Sequence, residues 1–211
     1  MNTIFMSSKG GNCTTVTAAA HALLTAATRG KTLLIDLCGD IPAVLGLAEP
    51  SGPGVNDWLG EDLTAQGDAL VLLGTPVTDT LMVIHRGSQF VQGQPRWSDL
   101  AEVCRSLGVN VVIDAGTGYI PDALRRGFDC VAMVTRQCYL SLRRATAMER
   151  PTGVYVIKEP DRALTTNDVV HVLGVPLLAE IPHNPAVSRA VDAGLLPGRA
   201  EQLFGGHFTA V

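Results

Sequence analysis

The run Asn2-Thr3-Ile4-Phe5-Met6-Ser7-Ser8-Lys9-Gly10-Gly11-Asn12-Cys13-Thr14-Thr15-Val16-Thr17-Ala18-Ala19-Ala20 decides the architecture. Residues 3–7 have strand character and end in a short loop of serine and glycine, and an alanine-rich segment follows at once. A strand, a glycine loop and a helix in that order set a row of backbone amides at a helix N-terminus, which is a cradle for phosphate oxygens. The spacing predicts a helix over 15–28, closed by Arg29-Gly30, because glycine tolerates the left-handed geometry of a helix end. Then Thr32-Leu33-Leu34-Ile35-Asp36-Leu37 gives a nearly continuous apolar run, the signature of a strand covered on both faces.

The same alternation continues outward. Strands are predicted over 81–85, 109–114, 129–135, 153–157 and 175–181. Helices are predicted over 55–59, 97–107, 140–149 and 185–193, with a further one opened by Thr165 or Thr166, both good N-caps. The stretch 49–95 is less regular and carries the turn sequence Ser51-Gly52-Pro53-Gly54. Parallel strands joined through helices need right-handed crossovers, so the fold class is α/β: a doubly wound, mostly parallel sheet with helices on both faces. No tandem repeat, low-complexity tract or linker divides the chain, and one domain is expected to span 1–211.

Composition narrows the function classes. Of 211 residues 46% are hydrophobic and 17% charged, which excludes a disordered tail. A formal net charge of −4 excludes a polycationic nucleic-acid coat. The apolar runs fall far short of the ~20 residues that cross a bilayer, and residues 1–6 lack the basic start of a secretory signal. The expected location is cytoplasmic. The five cysteines (13, 38, 104, 130, 138) include no CxxC pair and read as reduced thiols, with neither a disulfide frame nor a zinc site expected. The histidines show no ligand spacing, and Trp58 and Trp97 read as packing anchors.

Residues 7–15 resemble the deviant phosphate loop of the ParA/MinD family of ATPases, the SIMIBI class of P-loop NTPase-like folds, usually K-G-G-x-G-K-T-T. Aligned from its front, Lys9, Gly10, Gly11 and Thr15 are kept and Asn12 fills the variable place. Cys13 replaces a glycine, and Thr14 replaces the main phosphate-binding lysine. A threonine supplies no charge to the β- and γ-phosphates, so nucleotide affinity should fall roughly ten- to a hundredfold. Cys13 adds a Cβ where glycine permits positive φ or close approach to phosphate. The resemblance runs on in order. Asp36 matches the aspartate that helps position the attacking water, and is the catalytic candidate. Cys38 stands where relatives commonly carry a second acidic residue. Val111-Val112-Ile113-Asp114-Ala115-Gly116-Thr117-Gly118 resembles the Walker B strand and switch loop. Thr15 would then ligate magnesium directly and Asp114 through water. The run from Leu173 to Pro182 follows the family's penultimate signature, which makes Pro182 and His183 the base-contact candidates beside residues 9–15. The strand before it ends Ile157-Lys158-Glu159, without the asparagine that reads adenine in relatives.

A loop that keeps Lys9-Gly10-Gly11 but lacks the second lysine is similar to the CpaE/TadZ branch and to actinobacterial septum-site-determining homologues. Many branch members carry an N-terminal receiver-like domain, for which no room is expected here. The resemblance implies ATP or ADP with Mg2+ as cofactor, a homodimer in which Lys9 reaches the partner's phosphates, and service to pilus, secretion or division machinery. It also leaves open an active dimerising ATPase of DNA partitioning or division-site placement, and a nucleotide-free scaffold. Six arginines between 125 and 150 face only Asp129 and Glu149 in sequence. Arg125, Arg126, Arg143 and Arg144 therefore form a candidate patch for DNA or an acidic partner. Residues 201–211 lack the basic amphipathic helix by which MinD proteins attach to membranes, and no direct anchor is expected.

Overall fold

In the middle of the sheet each strand sends alternate side chains to opposite sides. Ile4 and Met6 enter one apolar cluster while Phe5 enters the other, and Leu33 and Ile35 are likewise separated from Leu34. The computed structural model describes residues 2–60, 67–87 and 95–208, and side chains from 69 in the second segment. Within the irregular stretch 49–95, residues 61–66 and 88–94 lie outside the described ones, as do 209–211 at the C-terminal end.

The strands are β1 (Asn2–Met6), β2 (Thr32–Asp36), β3 (Thr75–Pro76), β4 (Leu81–Ile84), β5 (Asn110–Asp114), β6 (Cys130–Arg136), β7 (Gly153–Lys158) and β8 (Leu177–Pro182). Among the described residues they form one sheet in the order β3-β4-β2-β5-β1-β6-β7-β8. All neighbours are parallel except β3 and β4. The chain leaves β1 for one half of the sheet and later fills the other, so the switch in winding falls at the carboxyl end of β1. Register decides what meets there. Asp36 lies opposite Asp114, and Phe5 opposite Asp114 on the other side.

One face is covered by α1 (Thr14–Arg29), α2 (Ile41–Val44), α9 (Pro185–Asp192) and α10 (Leu196–Phe204). The other holds α3 (Val55–Gly60), α4 (Gly67–Val71), α5 (Trp97–Ser106), α6 (Asp122–Arg125), α7 (Tyr139–Ala145) and α8 (Thr166–Leu173). In α1, Ala18, Ala19, Ala20, Ala22 and Ala26 are buried, so small side chains let the helix lie close on the sheet. Thr165 caps α8 through a capping box with Asp168. Trp58 is buried with the Arg96 guanidinium 4.5 Å above its ring, a packing role.

The helix expected over 140–149 ends at Ala145. The chain tightens there through Ala147 to Arg144 and Met148 to Ala145 bonds, ahead of Pro151, which keeps residue 150 out of helix. The chain forms α10 after the last expected helix. Its Pro197 lies in the first turn, where proline loses no helix bond. Leu196, Ala200, Leu203 and Phe204 bury that helix against the α1 side. Among the described residues no helix is long and apolar enough to cross a membrane.

Candidate functional site

The loop from Ser7 to Cys13 rises from the switch point. Ser7 N–H donates to Gly116 O at 2.7 Å, tying its base to the loop after β5. The Ser7 hydroxyl donates to Lys9 O at 2.6 Å and accepts from Asn12 Nδ2 at 3.0 Å. Asn12, buried, also donates to the Ser141 hydroxyl at 2.6 Å, and Ser8 donates to Ser141 O at 2.7 Å. The loop is thus pinned to α7 through Asn12 Nδ2, while Asn12 Oδ1 is buried without a partner. Gly10 and Gly11 form the crest, where a Cβ on Gly10 would meet open space. Lys9, half-buried, turns its ammonium back to Gly10 O at 2.8 Å.

Cys13 holds φ 66° and ψ 26°, the left-handed region that its family glycine would occupy without strain. The first bond of α1 runs from Thr17 N to Cys13 O at 2.9 Å. The amides of Thr14, Thr15 and Val16 therefore have no acceptor within the helix, as at any helix start. Thr14, at the lysine place, is buried as the first residue of α1. What remains of the cradle is its backbone, without the internal cation.

Beneath the loop sits an acidic centre. Asp36 and Asp114 are fully buried side by side. Asp36 accepts from the amides of Cys38 (2.8 Å), Gly39 (2.7 Å) and Ile41 (3.0 Å), so its carboxylate organises the turn after β2. Burial raises its pKa above the ordinary carboxylate value, against the opposing effect of those three bonds. Asp114 accepts from Gly116 N at 3.1 Å, the nearby Thr15 hydroxyl favours its charged form, and its Oδ2 is buried without a partner. Burial, with Asp36 and Asp40 adding to it, lifts Asp114 from 3.8 to about 6. A buried, unpartnered carboxylate oxygen next to a threonine hydroxyl fits a hard cation such as magnesium. Cys38 lies at the same centre, its thiol 3.5 Å from Asp114 O and held neutral first by burial and then by Asp114, Asp36 and Asp40.

On the other side of Cys13 opens a cavity of about 220 Å³. Val16, Ile157, Ile181, Pro182, His183 and Val187 are among its walls, so the structure brings both base-contact candidates to the loop. Arg136, at the end of β6, stands at its mouth. Its Nη2 donates to Cys13 Sγ at 3.2 Å and its Nη1 pairs with Glu159 Oε1 at 2.8 Å. Arg162 pairs with the other oxygen of Glu159. Arg136 and Ser141 are the residues at this site that the sequence did not point to, whereas Cys38 was marked only as standing in the place of a second acidic residue. Arg136 and Ser141 meet the loop across more than a hundred residues of chain.

The four candidate arginines differ in their engagement. Arg125 is tied to Glu149 at 2.8 Å and also bonds Arg150 O. Arg126, Arg143 and Arg144 are exposed.

No protein-family model and no curated protein matches the chain. Solved structures match it closely in shape. A ParA family ATPase from Chlorobium tepidum TLS superposes with TM-score 0.74 at 22% identity, over 97% of this chain and 91% of that one. The septum site-determining protein MinD from Pyrococcus horikoshii OT3, complexed with Mg-ADP, gives 0.72 at 18% identity, over 96% and 90%. A plasmid partition protein from Borrelia burgdorferi B31 bound to AMPPNP gives 0.60 at 15% identity, over 97% and 96%. The sheet order, the loop at the switch point and the two aspartates beneath it define a P-loop NTPase-like α/β domain. Its particular fold is that of the ParA/MinD ATPases.

Proposed function

We propose that this chain is a ParA/MinD-type positioning or assembly protein that binds adenine nucleotide with Mg2+ weakly and hydrolyses it slowly or not at all. The observation that carries the reading is a backbone cradle in the family's place with Thr14, buried, where the lysine would stand. Free amides at Thr14, Thr15 and Val16 would take phosphate oxygens, and Thr15 with Asp114 would hold the magnesium, whose charge offsets that of the phosphates. Pro182 and His183 would pack on the base in the cavity beside Cys13. Asp36, with its oxygens engaged by three amides, would act on an attacking water only after its turn opens, which supports slow turnover. The degenerate loop supports a place among CpaE/TadZ-like and septum-site-determining-like proteins, serving pilus, secretion or division machinery in the cytoplasm.

Calorimetric titration with ATP and ADP, with and without magnesium, tests the reading. Binding without turnover at saturating ATP is expected. Turnover at rates typical of enzymes, about 1 s⁻¹ or more, would make it a working ATPase. Absence of any binding would make it a scaffold.

Lys9 is the residue we assign to the dimer. A lysine that reaches a partner's phosphates contributes only when two subunits face each other across nucleotide, so nucleotide should shift the monomer–dimer equilibrium. Lys9→Ala is expected to abolish that shift in sedimentation while leaving the fold intact. A dimer indifferent both to nucleotide and to the substitution would show that the sandwich arrangement is not used.

The exposed Arg143 and Arg144 support a site for DNA or an acidic partner. Their replacement by glutamate is expected to abolish DNA binding and its salt dependence without changing nucleotide affinity. DNA binding that is unchanged in a gel-shift titration would remove these arginines from the role.

A further inference from the structure

The acidic centre beneath the loop contains a donor that a magnesium site does not call for. Oxygen atoms of Asp36 and Asp114 and the Sγ of Cys38 all lie within 4.8 Å of one another. Two of the three residues are fully buried, and Asp114 Oδ2 has no hydrogen-bond partner. A buried carboxylate oxygen with nothing to accept from costs free energy, and a cation among the three donors would remove that cost. The surroundings hold the donors in place. Three amides orient Asp36, and Arg86 Nη1 fixes the Cys38 backbone by donating to its carbonyl at 2.9 Å. Gly116 makes room for the thiol, because a Cβ there would lie 2.4 Å from Cys38 Sγ.

We propose that Asp36, Cys38 and Asp114 form a divalent-cation site with a thiolate donor, which takes zinc or cobalt in preference to magnesium and does so without nucleotide. Magnesium favours an all-oxygen octahedron, whereas thiolate sulfur favours zinc and related ions. Tetrahedral zinc with bonds of about 2.0–2.3 Å sets its donors roughly 3.5 Å apart. The three atoms, within 4.8 Å of one another, therefore need to close by at most roughly 1.3 Å. Cys38 Sγ–H gives its proton to solvent as the Sγ–metal bond forms. The fourth position would be filled by water or by a phosphate oxygen. The site would thus exist before nucleotide arrives, and its occupation does not depend on the nucleotide reading.

The test uses the full chain, stripped of metal with a chelator and free of nucleotide. Titration with cobalt(II) is expected to saturate at one equivalent with a sulfur-to-cobalt charge-transfer band in the near ultraviolet and tetrahedral bands in the visible. Excess magnesium should not displace it. Cys38→Ser is expected to lose the charge-transfer band and to weaken zinc binding by about tenfold or more. Cys38→Asp, which restores an all-oxygen set, should keep cation binding, lack the band and shift preference toward magnesium and manganese. It reports on the site even where the serine variant fails to fold. No charge-transfer band at one equivalent would overturn the proposal. So would a band that survives in a folded Cys38→Ser or Cys38→Asp protein, since it would belong to another cysteine.

Discussion

Thr14→Lys is expected to tighten ATP binding by up to about a hundredfold, the value of one hydrogen bond to a charged group. The reason lies in what the cradle lacks. Its amides at Thr14, Thr15 and Val16 carry partial positive charge at the start of a helix of 16 residues, and Lys9 is turned toward its own loop. None of these places a full charge between the β- and γ-phosphates. A lysine at residue 14 would do so if its stem can follow the inside of the loop. Cys13 is the obstacle, because its side chain lines the adjoining cavity and is held by Arg136. The informative comparison is therefore Thr14→Lys alone against Thr14→Lys with Cys13→Gly, both by calorimetry. Glycine also relieves the left-handed backbone at φ 66°. A gain that appears only in the double variant assigns the block to the cysteine. No gain in either, with the fold intact, would mean that the loop no longer accepts the family's phosphate geometry.

Much of this arrangement was legible because it is local. The strand, loop and helix at residues 2–29 are contiguous, and apart from Cys13 at φ 66° their residue types suit the pattern. Asp36 and Asp114 were legible as strand-end carboxylates, and parallel register then set them side by side. What could not be read depends on distant chain segments. Ser141 meets Asn12, and Arg136 meets Cys13, only after β6 has paired with β1. Cys38 read as a lost acidic residue, and its approach to Asp114 depends on a turn held by three amides of the same segment. Proline and glycine near the start of α10 concealed a helix whose stability comes from packing rather than propensity. The two-residue β3 is too short to carry any periodicity at all.

Asp114→Asn is expected to stabilise the metal-free protein at neutral pH by up to roughly 3 kcal/mol, the free energy of a shift of about two pH units in a buried carboxyl. Burial is the main cause of the rise from 3.8 to about 6, and the Thr15 hydroxyl, Gly116 amide and nearby Asp36 and Asp40 set the remainder. The sign follows from which state holds the proton. Below pH 3.8 both folded and unfolded chains keep Asp114 protonated, and its contribution to stability is complete. Between 3.8 and about 6 the unfolded chain releases the proton while the folded one retains it, so stability falls as pH rises. Above that window the folded chain carries a buried anion with one unpartnered oxygen. Asparagine is neutral throughout and keeps an acceptor for the Gly116 amide, so this slope should vanish from the variant. Urea unfolding in chelator at intervals from pH 4 to 7.5 reads the difference between the two proteins and cancels contributions from other groups. Equal slopes would show that water reaches the carboxylate and that its burial has no energetic consequence. A divalent cation should reverse the ranking at neutral pH: it stabilises the parent protein by binding the anion and leaves Asp114→Asn where it was. A residue that destabilises the metal-free fold would then be the one through which a cation, with or without nucleotide, holds the switch point together.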